Sequence, residues 1–231
     1  MSVPATRRAG PSQARHELPG ATVLFTDRSH GSFSSPPNGP LPAAAHERAL
    51  ALAGAGALAR GRQVHGATVT RIRSLEDRTT EEAPAEADGQ ATSARGLAVM
   101  VVSADCLPVA VAGDGAVAML HAGWRGLAAG VLEEGVRAVR ELAGPGPLSA
   151  LIGPGAGPCC YEVGPEVHEA LSVPREHTHI DLPSVARSRL LAAGVQDVQT
   201  VQLCTICDPR FYSHRREGAR AGRQAGIAWL T

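Results

Sequence analysis

Three residues of this sequence, His65, Cys106 and His121, could bind a metal ion or act in catalysis. Cys106 and His121 follow apolar runs at residues 97–102 and 117–120, which are typical of β-strands. Reactive side chains often gather where strands end, because the sheet fixes the geometry and the loop gives access. The spacing allows one hairpin-like unit to bring Cys106 and His121 together. Two imidazoles and one thiolate suit a catalytic zinc ion with an open fourth position.

The neighbours of these residues add groups that could handle protons and anions. Asp105 lies at the end of a buried run, where the desolvation of an acid must be offset by other interactions. It is the nearest candidate for proton transfer. Arg125 lies at a predicted helix start, where free backbone N–H groups favour anions. A simpler explanation stays open, because a cysteine near a strand end is often a small buried hydrophobe and His65 alone could be a surface histidine.

Four further cysteines form two pairs, Cys159-Cys160 and Cys204-x-x-Cys207. If the backbone is extended, adjacent side chains point to opposite sides, so at most one of Cys159 and Cys160 would face a given pocket. A zinc ribbon needs a second C-x-x-C pair, and none follows Cys207, so no zinc ribbon is expected here. The glycine-rich segment at 155–157 could form a loop or a backbone nest for phosphate.

Charge and composition limit the classes of partner. The 231 residues carry 22 Lys+Arg against 22 Asp+Glu, and every basic residue is Arg. A net charge of zero gives no global basic field for nucleic acid, so His214-Arg215-Arg216 is better explained as a lining for an anionic substrate. The lack of lysine excludes lysine-based chemistry such as a Schiff base.

Cysteine usage and hydropathy indicate the compartment. Five cysteines, two of them adjacent, are a poor disulfide framework and suit a reducing compartment. Residues 1–20 lack the apolar run of a signal peptide. The most apolar stretch, at 96–120, is interrupted by Asp105, Pro108 and Asp114, so it fits buried strands better than a membrane span. We therefore expect a cytoplasmic protein that binds neither membranes nor nucleic acid.

The apolar pattern predicts one α+β domain. Residues 1–20 predict a flexible tail and residues 21–231 a single catalytic domain, because no linker separates two cores. Helices are predicted over residues 43–60, 124–142, 165–171 and 182–193. Strands are predicted over residues 21–26, 63–72, 97–102, 109–112, 116–120, 148–152, 198–203 and 227–230. An exposed connection is predicted over the acidic residues 76–87.

Five motifs occur in an order that resembles one known family. They are Gln63–Gly66, Ala104–Pro108, His121–Gly126, Ile152–Gly164, and Cys204-Thr205 with Phe211–Arg216. Together they resemble the laccase-domain family, also called the multicopper polyphenol oxidase or purine nucleoside phosphorylase family, which includes peptidoglycan editing factor-like proteins. Phe25–Arg28 fits the family's opening motif. The loop at 29–42 is short and lacks the family's usual Ser-Leu-Asn-Leu-Gly segment, so part of the substrate wall is expected to be missing.

The resemblance implies a single domain of α/β/β/α type with mixed sheets, similar in fold to a cytotoxic deamidase toxin. It implies a zinc ion held by His65, Cys106 and His121. It also implies phosphorolysis of adenosine, inosine and methylthioadenosine, with adenosine deamination as a second activity. Copper and phenol oxidation are likewise associated with the family. From motif position and charge, we expect Arg28 and Arg125 to position the phosphate.

The leading hypothesis is a zinc enzyme with a purine nucleoside and phosphate as substrates and Asp105, Cys106 and His121 as catalytic residues. One alternative is a metal-free Cys–His hydrolase or amidase that acts on peptidoglycan precursors, with Cys106 as nucleophile and His121 as base. Another is copper-dependent phenol oxidation, although nine mostly scattered histidines do not supply the ligand sets of a multicopper oxidase. A partner-binding relic without catalysis is the non-enzymatic alternative, and the intact ligand motifs argue against it.

Overall fold

Two β-sheets and six helices form the part of the chain that the computed structural model describes, namely residues 15–35, 39–77, 84–175 and 178–231. The strands are β1 (Arg15–Leu18), β2 (Ala21–Phe25), β3 (Ala57–Ala59), β4 (Val69–Ile72), β5 (Gly89–Thr92), β6 (Leu97–Ser103), β7 (Leu107–Gly113), β8 (Ala116–Ala122), β9 (Ser149–Ile152), β10 (Asp197–Thr200) and β11 (Gln224–Leu230). The helices are α1 (Ala43–Ala53), α2 (Trp124–Ala129), α3 (Val131–Ala143), α4 (Pro165–Leu171), α5 (Leu182–Ala192) and α6 (His214–Glu217). Each sheet mixes parallel and antiparallel pairs, which confirms the predicted α+β class.

The two sheets pack face to face, and helices cover their outer faces. The first sheet has the strand order β1-β2-β11-β6-β3 and the second β10-β9-β7-β8-β5-β4. Buried side chains of both sheets, including Phe25, Val99, Met119 and Leu151, form the core between them. Burial of a side chain of this size contributes roughly 1.5–3 kcal/mol. Helix α1 covers the first sheet, and α3 and α5 cover the second. The layers are thus α/β/β/α, as expected.

The hairpin β7–β8 carries two of the three predicted ligands. The two strands pair along their whole length, and Pro108 lies opposite His121. Gly115 has a φ of +78°, which lets the chain reverse tightly between the strands. Because Cys106 directly precedes β7 and His121 lies near the end of β8, the hairpin brings both residues to one end of the sheet, as their spacing predicts.

Helix α3 packs closely behind this hairpin. Leu132, Val136 and Val139 recur at helical spacing and are buried against the second sheet. A Cβ on Gly135 would overlap a methyl carbon of Leu120. Glycine at this position therefore allows the helix to contact β8 directly, which fixes the strand that carries His121.

Two predicted boundaries near the start of the chain are wrong. The tail predicted over residues 1–20 is too long, because Arg15–Leu18 pair with β2 as an antiparallel hairpin; residues 1–14 lie outside the described part. The helix predicted over 43–60 ends at Ala53, since Gly54 takes a left-handed φ of +65°. The end of that segment forms β3 instead.

Three elements in the middle of the chain also differ from the prediction. The strand predicted over 63–72 begins only at Val69. The helix predicted over 124–142 is divided in two at Gly130, which has a φ of +90°. Strand β5 was not predicted, because its short side chains give no clear alternation, although it is buried between β4 and β8. The apolar stretch at 96–120 forms strands as predicted, and no helix among the described residues is long and apolar enough to cross a membrane.

Candidate metal centre and substrate cleft

The three predicted ligands converge at the end of the β7–β8 hairpin. The ligand atoms of His65, Cys106 and His121 all lie within 4.8 Å of one another. The rings of the two histidines meet edge to face, with centroids 4.9 Å apart. His121 is buried, with 5% of its side chain exposed, whereas His65 is exposed on the other side of the cluster. The cluster is therefore anchored on one side and accessible on the other.

Asp88, directly before β5, organises this cluster and was not predicted from the sequence. The side chain is fully buried. Its Oδ1 lies 2.8 Å from His121 Nδ1 and accepts a hydrogen bond from the His65 backbone N–H at 2.9 Å. Its Oδ2 accepts from the N–H groups of Val64 and Gly66 at 3.0 and 2.7 Å. A carboxylate on Nδ1 leaves His121 Nε2 for the cluster, which is the usual arrangement around a metal-binding histidine.

The loop that carries His65 is fixed at several points. The Gln63 side-chain amide pairs with the backbone of Val102, donating at 2.7 Å and accepting at 2.8 Å. His65 itself has a φ of +62°, an uncommon value for a residue other than glycine. The bonds to Asp88 and Val102 over-determine this strained backbone and so hold the imidazole toward Cys106.

Gly123 explains why the helix after His121 can approach the ligands. A Cβ at this position would lie 2.7 Å from Cys106 Sγ and 3.4 Å from a ring carbon of His65. The first of these distances is shorter than side-chain carbons tolerate, so any larger residue would displace the sulfur. Gly123 of the His121–Gly126 motif is thus required by the packing around the cluster.

The electrostatics of the cluster favour a Cys106 thiolate beside a protonated His121. Burial raises the pKa of the Cys106 thiol. The charges and hydrogen bonds of His121 and His65 outweigh this effect and lower the pKa to about 6. Burial lowers the pKa of His121, but the Cys106 thiolate and the hydrogen bond to Asp88 raise it to about 9. A thiolate is the metal-binding form of cysteine. A cation at this position would replace the His121 proton that otherwise balances the thiolate, so the donor set fits a thiophilic divalent ion.

Asp105 lies in the lining of the same cleft as the three ligands, and later loops hold its carboxylate in place. Its Oδ1 accepts from the Thr205 hydroxyl at 2.7 Å. Its Oδ2 accepts from the Ser213 hydroxyl at 3.1 Å and the Arg215 backbone N–H at 2.7 Å. Both oxygens are therefore hydrogen-bonded, which fixes the orientation of the side chain, and its role in proton transfer stays a prediction. Asp105, with a φ of +91°, also ties the turn before Cys106 to two later loops.

An open cleft of about 880 Å³ lies over the three ligands. Its cationic and aromatic lining consists of Arg60, Arg62, Trp124, Arg125, Tyr161, His214, Arg215 and Arg223. A volume in this range accommodates a small organic substrate. The short loop predicted at 29–42 still contributes to the wall through Ser34, Ser35 and Gly39, while residues 36–38 lie outside the described part.

Arg125, which is predicted to position phosphate, lines the cleft, and its guanidinium lies 4.2 Å above the ring of Trp124. Arg215 also lines the cleft, where it lies 5.3 Å from the ring of Tyr161 and donates to the Glu162 carbonyl at 2.9 Å. The basic segment His214–Arg216 thus contributes its first two residues to the cleft lining, and its role in binding an anion stays a prediction.

Arg28 does not belong to the cleft lining, contrary to the prediction that it positions phosphate. Its guanidinium donates to the Phe211 carbonyl at 3.0 Å and forms an ion pair with Glu217. It also lies 4.4 Å above the ring of Tyr212. These contacts make Arg28 a link between the end of β2 and the Phe211–Arg216 motif.

Comparison with known proteins agrees with this arrangement. The family described as "Multi-copper polyphenol oxidoreductase laccase" matches residues 43–231. A relative from Xylella fastidiosa, named "Purine nucleoside phosphorylase", is 44% identical over 186 residues, which cover 73% of this chain and 70% of that protein.

Solved structures share the same fold. The hypothetical protein YfiH of Bacillus licheniformis has a TM-score of 0.78 at 26% identity, and the match covers 91% of this chain and 93% of that one. A Neisseria meningitidis protein has a TM-score of 0.77 at 27% identity, with 94% and 98% covered. Since the family match extends from α1 to the last strand and contains all three ligand motifs, this chain belongs to the multi-copper polyphenol oxidoreductase laccase family, as its motifs predict.

Proposed function

We propose that this protein is a zinc-dependent purine nucleoside phosphorylase that acts on adenosine, inosine and methylthioadenosine, with adenosine deamination as a second activity. The observation that carries the proposal is the cluster of His65, Cys106 and His121 at the floor of an arginine-lined cleft. The name of the Xylella fastidiosa relative supports the same substrate class.

The reaction requires a site that binds a neutral nucleoside beside a phosphate anion. Phosphorolysis breaks the bond between ribose C1′ and the purine nitrogen, and forms a bond between C1′ and a phosphate oxygen. Arg125 and Arg215 offer guanidinium donors to the phosphate, and such groups recognise it with charge-assisted hydrogen bonds. The rings of Trp124 and Tyr161 offer apolar faces to the purine.

The residues at the floor of the cleft would hold the metal. His65, Cys106 and His121 supply two imidazoles and a thiolate, and Asp88 orients His121. When bound there, zinc supplies a Lewis acid that lowers the pKa of water or polarises an oxygen of the substrate. Copper is the alternative occupant of this donor set.

A reaction with and without phosphate tests the proposal. Metal-replete protein is incubated with inosine or adenosine, and the products are separated by chromatography. We expect free base and ribose 1-phosphate only when phosphate is present, and inosine from adenosine in either case. Base release at the same rate without phosphate would indicate hydrolysis. No base and no inosine would contradict the proposal.

A metal-free Cys–His hydrolase is the second candidate, and one observation favours it. Cys106, His121 and Asp88 are arranged in the order nucleophile, base and orienting acid. Removal of metal by a chelator separates the two functions. A phosphorylase that needs the metal loses activity, whereas a cysteine hydrolase keeps it and is inactivated by iodoacetamide instead.

A further inference from the structure

Four cysteines outside the candidate metal centre bring their sulfur atoms together. Cys159 and Cys160 lie in the loop after β9, and Cys204 and Cys207 lie in the loop after β10. Their four Sγ atoms are all within 4.8 Å of one another. The extended backbone assumed for Cys159 and Cys160 is not found, because these residues form a turn that brings both sulfur atoms into one cluster. A four-cysteine zinc site needs a second pair of cysteines beside Cys204 and Cys207. That pair, Cys159-Cys160, comes earlier in the chain.

Backbone hydrogen bonds build the two turns and join them. The Cys160 N–H donates to the Gly157 carbonyl at 3.2 Å, and the Asp208 N–H donates to the Cys204 carbonyl at 3.0 Å. A parallel β-bridge connects Gly155 and Cys204, so that the loops run side by side. Each turn therefore contributes two sulfur atoms to the cluster, and backbone hydrogen bonds join the loops in addition to the disulfide between them.

The cluster contains more sulfur than one disulfide uses. Cys160 and Cys207 are joined by a disulfide in the structure, and Cys159 Sγ lies only 3.1 Å from Cys207 Sγ. Cys204 Sγ accepts a hydrogen bond from the Gly157 N–H at 3.3 Å. Donors of this kind stabilise thiolates and are common around metal-bound sulfur. Two sulfur atoms thus remain beside the disulfide as free thiols.

We propose that, in its reduced form, this cluster is a second metal site that binds one zinc ion through Cys159, Cys160, Cys204 and Cys207. Four thiolates at the corners of a tetrahedron form a closed structural zinc site, and soft sulfur ligands select zinc over magnesium or calcium. The cluster differs from the candidate metal centre, where three ligands leave a position open. The proposal does not rest on the proposed nucleoside chemistry.

Zinc can bind all four sulfur atoms only after the disulfide has been reduced. A dithiol reductant donates two electrons, which break the Cys160–Cys207 bond, and the dithiol is itself oxidised to a disulfide. Two protons complete the new thiols. Zinc binding then displaces the protons of the four thiols to solvent, so loading is favoured as pH rises.

The position of the cluster gives the second metal a structural purpose. Thr205 follows Cys204 directly, and its hydroxyl donates to Asp105 at 2.7 Å. Asp105 in turn precedes Cys106 at the candidate metal centre. Arg216 donates to the carbonyls of Thr205 and Ile206, both at 2.8 Å, and so holds the turn between Cys204 and Cys207. A zinc ion here would clamp the loops that hold the turn before Cys106.

Zinc content per chain, measured by elemental analysis on protein purified with reductant, tests the proposal. We expect two zinc ions in the wild type and one in the double variant C204S/C207S. The matched control Cys106→Ser also removes a thiol but leaves the four-cysteine site intact, so it should retain the second zinc. If the candidate metal centre holds no zinc, the wild type would contain one zinc ion per chain and the double variant none. Failure of the four-cysteine site can therefore be distinguished from failure of the zinc centre in the proposed function.

Alkylation of the wild type with a maleimide keeps the test valid even where a variant misfolds. Zinc should protect the four cysteines, and a chelator should expose all of them in the two peptides seen by mass spectrometry. Four freely alkylated cysteines in zinc-replete, reduced protein would overturn the proposal. A Cys160–Cys207 disulfide that survives the reductant, or iron in place of zinc, would overturn it as well.

Discussion

Replacing Asp88 with Asn tests whether the buried carboxylate holds the two histidines in place. The carboxylate receives four hydrogen bonds, two on each oxygen. An amide of the same shape keeps one oxygen, and its nitrogen cannot accept. Two donors therefore lose their acceptor whichever way the amide is turned. At roughly 1.5–3 kcal/mol for each bond to a charged group, the free energy of unfolding should fall by about 3–6 kcal/mol.

The same substitution should weaken metal binding. Loss of the carboxylate partner of a ligating histidine typically reduces metal affinity by about 10–100-fold. Urea denaturation of metal-free protein measures the first effect, and competition with a chromogenic chelator for zinc measures the second. Asp114→Asn, at the exposed β7–β8 turn, is the matched control and should change neither quantity. Unchanged zinc affinity in Asp88→Asn would refute the positioning role, even if stability fell.

Three further predictions concern the substrate cleft, the candidate metal centre and the reactivity of its cysteine. Gly123→Ala should cost about 1–3 kcal/mol of stability and weaken zinc binding, because the new methyl overlaps Cys106 Sγ, whereas Gly146→Ala, with nothing within 4 Å, should leave zinc binding unchanged. Arg125→Ala should raise the KM for phosphate by about 10–150-fold, equivalent to the loss of one charge-assisted contact, and an unchanged KM would remove that residue from the site. In metal-free protein, alkylation of Cys106 by iodoacetamide should rise as pH passes through about 6 and then level off, because the thiolate forms above its lowered pKa. Burial and a neighbouring thiol raise the pKa of Cys159, so its alkylation should still be increasing at pH values where that of Cys106 is constant.

The three candidate ligands could be predicted because sequence motifs mark them. Apolar runs before Cys106 and His121 indicate strands, and the hairpin spacing places their ends together. The layered fold followed from the family resemblance and not from periodicity, since short strands such as β5 give no pattern of their own.

The residues that support the ligands could not be predicted, because their partners are distant in sequence. Asp88 comes at the end of an acidic stretch that suggests an exposed connection, and nothing near it indicates that it bonds His121. Arg28 and Asp105 were assigned to chemistry from their motifs alone. Glu217 and Thr205, which occupy their side chains, lie far along the chain.

The cysteine pairs show a different limit of sequence analysis. The separation of Cys159 and Cys160 onto opposite sides assumed an extended backbone, whereas the glycine- and proline-rich segment before them closes into a turn. Turn geometry of this kind depends on the carbonyl of Gly157 and on the neighbouring loop after β10, both of which are set by tertiary packing.

The most direct test of the central claim is zinc titration into metal-free protein with inosine and phosphate present. We expect base release to rise with added zinc until one ion occupies the centre of His65, Cys106 and His121, and to stay at background in the Cys106→Ser variant. Because a second zinc is proposed at the four cysteines, the titration is repeated in C204S/C207S to count the active ion alone. Base release at full rate in metal-free wild type, or in zinc-loaded Cys106→Ser, would contradict a metal-dependent phosphorylase.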